Sequence, residues 1–414
     1  MKRDVSVLVV QLGARRQYAV PAAFAQAGQL EALYTDLCAG RGIGRLAPLI
    51  QKIPPVARRI NLSRRTPPPD VLARTHVFPS WFLQMRAALS GGGTQGARLK
   101  KIRQAHHRAS MRMLKSGFGN ATHVLTMFGE ATAFQRRAKA QGLVTITDMN
   151  IAPSTEAIVR DEQRSFPDWE APKIYYGQAH AAKAGVAPMM DDVLAHTDIF
   201  LCPSEFVRSD LINNFGVAAT RTRLVPYAVN PKWSAVKARP DVGRVLFAGG
   251  AELRKGIHIL AAAARILNER GLSYRFDVAG TASVEIRARP ECAALTFLGR
   301  LNAQDMSAAY STADIVALPS LAEGSAGVTY EALGCGLPVV TTFEAGSAVR
   351  DGIDGKIVPA RDASALADAI ELIVQNRDLR DSMAKNARAH ALELSWAKYS
   401  SKLQDALFDP LGAL

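Results

Sequence analysis

Glu323-Gly324-Ser325-Ala326-Gly327-Val328-Thr329-Tyr330-Glu331, continued by Ala332-Leu333-Gly334-Cys335-Gly336-Leu337-Pro338-Val339-Val340, is the stretch that decides the fold. Upstream of it the apolar run Ile315–Leu318 closes at Pro319-Ser320, so the order is strand, glycine-rich turn, helix. The first amides and the positive end of such a helix face whatever binds at the sheet edge, and phosphate suits that position. Glu323 and Glu331 stand eight positions apart, roughly two helical turns, so they lie near one side. Carboxylates placed to accept from hydroxyls suit a sugar nucleotide. Two glutamates alone fit a solvated helix face equally well.

Outward from this stretch, short apolar runs alternate with helical patterns, which predicts an α/β protein with parallel sheets. Strands are expected at Val5–Gln11, Thr122–Met127, Val144–Asp148 and Asp198–Cys202 in the first half. The second half offers Arg244–Ala248, Tyr274–Ala279, Leu295–Leu298, Asp314–Leu318 and Pro338–Thr341. Helical periodicity marks Ile257–Glu269, Met306–Ser311, Ala363–Gln375 and Leu379–His390, and Ser204 reads as an N-cap. Pro226–Pro240 reads as the interdomain linker, giving an N-terminal domain over 1–233, a C-terminal domain over 234–394, and a final helix over 395–414 that crosses back. Gly42–Pro69 is a basic, apolar insertion expected at the surface, and Gly91-Gly92-Gly93 a flexible loop before a basic helix.

Of the 414 residues, 48% are hydrophobic and 21% charged, which excludes wholesale disorder and fibrous repeats. No apolar run is long enough to span a bilayer as a helix, and Met1-Lys2-Arg3-Asp4 does not open a secretory leader. Four separated cysteines without a CxxC pair predict reduced thiols and a cytoplasmic setting. The net charge of +14 is segregated: residues 1–147 hold 23 Lys and Arg against 5 Asp and Glu, and residues 148–414 hold 28 against 32. A first domain at +18 predicts contact with something anionic. The expectation is peripheral docking on an anionic membrane surface through the insertion, the helix carrying Lys100, Lys101, Arg103, Arg108, Arg112 and Lys115, and Trp81-Phe82 as aromatic anchor. A non-catalytic nucleic-acid-binding protein is the alternative from another class, but aromatics are only 7% and none interleaves with the basic residues as a stacking platform; no nucleic acid is expected. P-loop and Gly-x-Ser-x-Gly strings are missing, and His106-His107 has no carboxylate or thiolate company at metal-ligand spacing.

Taken with its surroundings, the deciding stretch resembles the family-4 (group 1) retaining glycosyltransferases of the GT-B fold. That resemblance rests on two Glu separated by seven residues, with Ala after the second and Gly-Leu-Pro-Val-Val beyond. It extends to Phe247-Ala248-Gly249-Gly250 leading to Arg254-Lys255-Gly256, Phe276-Asp277-Val278-Ala279-Gly280, Phe297-Leu298-Gly299-Arg300, Asp351-Gly352 and Ser395-Trp396. It implies two Rossmann-like domains facing across a cleft, and transfer of a hexose-like unit from a nucleoside diphosphate sugar to a saccharide or lipid-linked acceptor, with retention, without cofactor or metal. A sugar-nucleotide epimerase is the alternative on the same fold. Glu331 matches the family's ribose-binding Glu. Glu323 matches the Glu counted as catalytic, and Lys255 with Arg254 match the cations on the leaving diphosphate. Gly324, Ser325, Ala326, Gly327 and Val328 would offer amides to the donor, Gly249 and Gly250 lie beside it, and Gly280, Arg300 and Leu301 fall where the base is held. Two departures stand out: Gly250 occupies a position that is often Arg, and the loop reads Gly-Ser-Ala-Gly rather than Gly-Phe-Gly.

The first half matches less of the pattern. Gly13, after the first strand, sits where the family places a glycine loop against the donor diphosphate, with Arg16 and Tyr18 following on the acceptor side. Relatives often carry a histidine where this chain has Leu125-Thr126-Met127-Phe128-Gly129-Glu130. Asp148 and Asn150, at the end of the next strand, are the remaining acceptor-side polar candidates.

Overall fold

The sequence Val7–Gln11 is buried at all five positions, as a strand must be when helices cover both faces of its sheet. Its side chains divide by alternation: Val7 and Val9 join one core with Tyr18 and Phe24, while Leu8 and Val10 join another with Trp81 and Phe134. The computed structural model, which describes residues 5–46, 62, 65–90, 95–171 and 189–408, arranges the strands in two sheets. In the first, β1 (Val7–Gln11), β2 (Leu30–Thr35), β3 (Thr75–Val77), β4 (His123–Met127), β5 (Val144–Asp148), β6 (Ile199–Cys202) and β7 (Thr222–Leu224) run in the order β3-β2-β1-β4-β5-β6-β7. The second takes β8 (Arg244–Ala248), β9 (Arg275–Ala279), β10 (Leu295–Gly299), β11 (Ile315–Leu318), β12 (Val339–Thr342) and β13 (Gly355–Val358) in the order β10-β9-β8-β11-β12-β13. Every pairing is parallel. Each order reverses once, between β1 and β4 and between β8 and β11. Those reversals open the crevices where open α/β sheets bind ligands.

All nine expected strands form, within two residues at either end. Four strands carried too little pattern to be expected. β3 and β7 are three residues long, β13 opens on Gly355, and β2 interrupts its apolar run with Glu31, which accepts from the Ser6 hydroxyl (3.0 Å) instead of entering the core. Such strands are stabilised by pairing with neighbours rather than by their own periodicity.

Three segments tie the halves together. The expected linker includes the short helix Pro231–Ser234, capped by Asn230, and its Trp233 is buried edge-on against Tyr310 at 5.1 Å. The final helix, Trp396–Phe408, sets Tyr399, Leu403, Ala406 and Leu407 into the core of the first sheet. In the opposite direction, the helix Thr155–Ser165 leaves β5 and delivers Trp169 into the core of the second sheet. On that arm, Glu162 meets His258 at 2.6 Å and Arg361 at 2.5 Å.

The expected aromatic anchor is overturned. The helix Pro79–Ser90 turns Trp81 (1% exposed) and Phe82 (8%) inward, Trp81 onto His106 and Phe82 onto Leu37 and Leu62. The expected surface insertion also contributes inward: Arg65 pairs with Asp36 at 2.7 Å and stacks on Phe82. Residues 47–61 and 63–64 of that insertion, and Gly91-Gly92-Gly93, lie outside the described residues. All four cysteines are buried and unpaired.

Candidate functional site

At the reversal of the second sheet, β11 ends and the chain passes through Pro319–Ala322 to Glu323. Lys255 and Arg254, on the turn after β8, converge on that carboxylate: Lys255 Nζ lies 2.5 Å from one oxygen and Arg254 Nη1 2.7 Å from the other. Arg254 is further fixed by Glu252 (2.7 Å) and by donation to the Ala322 carbonyl (3.0 Å). The structure thus brings the three groups together, each side chain 12–15% exposed. Beneath them Gly249 and Gly280 pass so closely that a Cβ on Gly280 would stand 1.7 Å from the Gly249 carbonyl oxygen. Only a bare backbone fits there.

The glycine loop is held from both sides. Ser325 donates to the Gly346 carbonyl (2.7 Å) and the Ala326 amide to the Ala345 carbonyl (3.0 Å). Ser204 caps the helix Glu205–Phe215 by accepting from the Val207 amide, as expected, and donates to the Gly324 carbonyl at 2.6 Å. A Cβ on Gly324 would meet the Asn150 carbonyl oxygen at 2.1 Å; here the two sheets' strand ends touch. Gly327 and Val328 open the helix Gly327–Cys335, and among the described residues nothing accepts from their amides. They are the unsatisfied donors that every helix start carries, and Gly327 is exposed. Further along the same helix, the Tyr310 hydroxyl donates to Glu331 (2.9 Å). Burial pushes the Glu331 carboxyl above its ordinary range, against the pull of that hydrogen bond. Arg300 is exposed at the end of β10, Leu301 packs partly into the core, and Gly250 has Thr281 as its neighbour.

The reversal of the first sheet is built differently, because its charged groups pair with one another. Asp36 accepts from the Gly13 amide (2.9 Å) and pairs with Arg65. Glu130 accepts from the Leu12 amide (2.7 Å) and pairs with Arg15 (2.5 Å). Arg16 pairs with Asp148, donates to the Tyr399 hydroxyl (2.8 Å) and lies over the Tyr227 ring. Arg16, Gln17 and Tyr18 all take positive φ, a strained run for residues other than glycine. Tyr18 is buried in the core, and burial pushes its hydroxyl well up.

Between these pairs a cavity of 370 Å³ opens at the ends of β1, β4 and β5, lined by Leu12, Arg15, His106, Phe128, Gly129, Glu130 and the run Asn150–Pro153 with Thr155 and Glu156. Of the four acceptor-side expectations, Asn150 lines it; Arg16, Tyr18 and Asp148 do not. Arg15, Glu130 and His106 were missed. Glu130 had one available signal: it is among only five acidic residues in the first 147. Among the described residues no group of three or more His, Cys, Asp or Glu is placed to hold a metal ion, and no helix is long and apolar enough to cross a membrane.

Residues 243–376 match the family of glycosyl transferases, group 1. Over 172 residues, 38% of this chain and 41% of the relative, the sequence is 33% identical to a D-inositol 3-phosphate glycosyltransferase of Corynebacterium urealyticum. The chain spans about half the length of the curated relatives it matches. Among solved structures, a sucrose-phosphate synthase of Thermosynechococcus elongatus aligns at TM-score 0.64 with 17% identity, covering 97% of this chain and 98% of that one. Anabaena HepE, solved in complex with UDP and glucose, aligns at TM-score 0.60 with 14% identity over 97% and 99%. Residues 243–376 therefore match the group 1 glycosyl transferases, in a chain whose two sheets have the GT-B fold.

Proposed function

We propose that this protein transfers a hexose-like sugar from a nucleoside diphosphate sugar to a hydroxyl of a saccharide or lipid-linked acceptor, with retained anomeric configuration and without a metal. The observation that carries the reading is one helix start: the Gly327 and Val328 amides are open just after Glu323, which Lys255 and Arg254 hold, with Glu331 one turn on. The amides and the helix dipole stabilise a diphosphate, and Lys255 and Arg254 add charge where the C1–O bond to that diphosphate breaks. Glu331, held by Tyr310, accepts from the ribose hydroxyls. Glu323 positions the two cations and faces the transferred sugar. The acceptor oxygen forms the new bond to C1 from the face the diphosphate leaves, and its proton passes to the departing phosphate oxygen. In this reading the 1–233 portion presents the acceptor and the 234–394 portion holds the donor, in the cytoplasm.

Melting curves with a panel of nucleoside diphosphate sugars test the proposal. A donor at 100 times its Kd raises stability by about 2.7 kcal/mol. Transfer is expected to survive EDTA within about twofold, and the product's anomeric proton to report retention. A panel that leaves the melt unmoved, or turnover abolished by EDTA and restored by magnesium, overturns the corresponding part.

A second element of the proposal is peripheral docking on anionic membrane. Lys100, Lys101, Arg108, Arg112 and Lys115 are all exposed on the helix Gln95–Ser116. Leu83 (60%) and Leu89 (53%) are exposed on the helix packed against it, and they replace the buried Trp81-Phe82 as the apolar contribution. At about 1 kcal/mol per basic side chain near the surface, these residues predict sedimentation with anionic but not neutral vesicles, lost with salt. Protein remaining in the supernatant at low salt sinks this element.

A further inference from the structure

Two nitrogens on the wall of the first-sheet cavity are buried without a described partner, Arg15 Nε and His106 Nδ1; Arg15 is anchored by Glu130 through its Nη2, which leaves His106. It sits in the middle of the helix Gln95–Ser116, amid the basic residues, yet it is only 9% exposed and its ring meets Trp81 edge-on at 5.5 Å. Its Nδ1 is buried, and no described group bonds to it. A nitrogen buried without a partner is unfavourable, and a ligand that bonds the ring would relieve it.

The surroundings define what it can bind. Arg15 is the one cation among the described residues lining the cavity, and Glu130 already matches its charge. Glu130 is itself fixed by the Leu12 amide, and Glu156 adds a second carboxylate to the wall. The cavity thus has no surplus positive charge for an anion. Burial, helped by the Arg15 charge, pushes the His106 imidazole down to about 4, so near neutral pH it presents one donor and one acceptor nitrogen. A hydroxyl, which both donates and accepts, can bond either nitrogen. Phe128 and Ile151 supply apolar wall for the C–H face of a ring. Asn150 belongs to the same wall, and its carbonyl touches Gly324, next to Glu323. A ring in this cavity therefore lies beside the glycine loop.

We propose that this cavity is the acceptor subsite, that it takes an uncharged, hydroxyl-bearing sugar or cyclitol ring, and that His106 is the specificity-determining residue that hydrogen-bonds one of its hydroxyls. The proposal rests on the glycosyl-transfer reading above, and its test separates the two. The full chain is labelled with ¹⁵N-histidine, and the His106 ring signal is assigned by its loss in His106→Gln. UDP and GDP are added first, which reports on the donor side. Then myo-inositol, methyl α-D-glucoside and methyl α-D-mannoside are titrated in large excess, with glucose 6-phosphate as the charged comparison. At least one neutral ring is expected to shift the His106 signal saturably while the other seven histidines stay in place, and the phosphorylated sugar to bind more weakly. No shift from any neutral ring, or tighter binding of the phosphorylated one, overturns the proposal. Nucleotide binding with a silent His106 overturns the subsite alone; a shifted His106 without nucleotide binding upholds the subsite and overturns the transfer reading. In turnover, His106→Ala should raise the acceptor KM about tenfold, the worth of one hydrogen bond, with the donor KM unchanged and partial recovery in His106→Asn.

Discussion

The two sheets reverse their strand order in the same way, but they equip the reversal with opposite chemistry. Past the end of β11, Lys255, Arg254 and Glu323 form one charged cluster, and after it the backbone is left open: among the described residues nothing accepts from the Gly327 and Val328 amides. At the ends of β1, β2, β4 and β5 the side chains close on each other, as Asp36 with Arg65, Glu130 with Arg15 and Asp148 with Arg16. What remains there is a cavity rather than an array of charges. In the proposed function the second sheet's crevice takes the strongly charged diphosphate of the donor. The other is shaped by interior pairs, and its selectivity falls to the few groups left over.

Substitutions can break or sharpen this contrast, and the largest effect is expected on the interior side. Asp148→Asn removes one partner of a pair whose side chains are 3% and 17% exposed, and the loss of a buried partner costs about 3–5 kcal/mol. The denaturant midpoint should fall accordingly, with nucleotide affinity unchanged in the folded protein. Full stability combined with lost acceptor affinity would move Asp148 from scaffold to site. Next is Lys255→Ala, where the electrostatic term is removed from the departing phosphate and turnover should drop about 10²–10³-fold, with a smaller loss of stability than in Asp148→Asn because Arg254 still pairs with Glu323. Unchanged turnover would mean that the helix amides alone balance the charge. Smaller again is Glu331→Ala, expected to weaken nucleotide binding about ten- to a hundredfold for one lost charge-assisted hydrogen bond. Calorimetry should show Glu323→Gln keeping that affinity while turnover falls; equal affinity in Glu331→Ala would erase the division of labour between the two carboxylates.

The same contrast explains what could be read in advance. Helices Ile257–Glu269 and Ala363–Gln375 form with the bounds their periodicity predicts, and the strand–loop–helix around Glu323 is legible because amide chemistry demands glycine at fixed spacings. Gly280 and Gly324 are visible in sequence for the same reason: something else's backbone occupies the room a Cβ would take. The first crevice leaves no such mark. Arg15 finds Glu130 115 positions away and Arg16 finds Tyr399 383 positions away, distances at which no local pattern survives. The left-handed run Arg16-Gln17-Tyr18 contains no glycine, so its turn is imposed by those distant partners rather than by local preference. Trp81 reads as an aromatic anchor at the surface because the elements around it are basic, and His106 is weighed only as a metal ligand. The charge lies on the outer face, and the two rings face each other inside.

The arm that carries Glu162 and Trp169 has a consequence for anyone recombining this protein with its relatives. In chain order it belongs to the half that ends at residue 233, yet Trp169 lies in the other half's core and Arg289 stacks on it at 4.5 Å. The terminal helix Trp396–Phe408 makes the reverse exchange. A chimera cut once in the linker would therefore join each graft to a foreign limb at two places. The exchangeable unit is a discontinuous one: residues 155–170 travel with the second sheet, and residues 396–408 stay with the first.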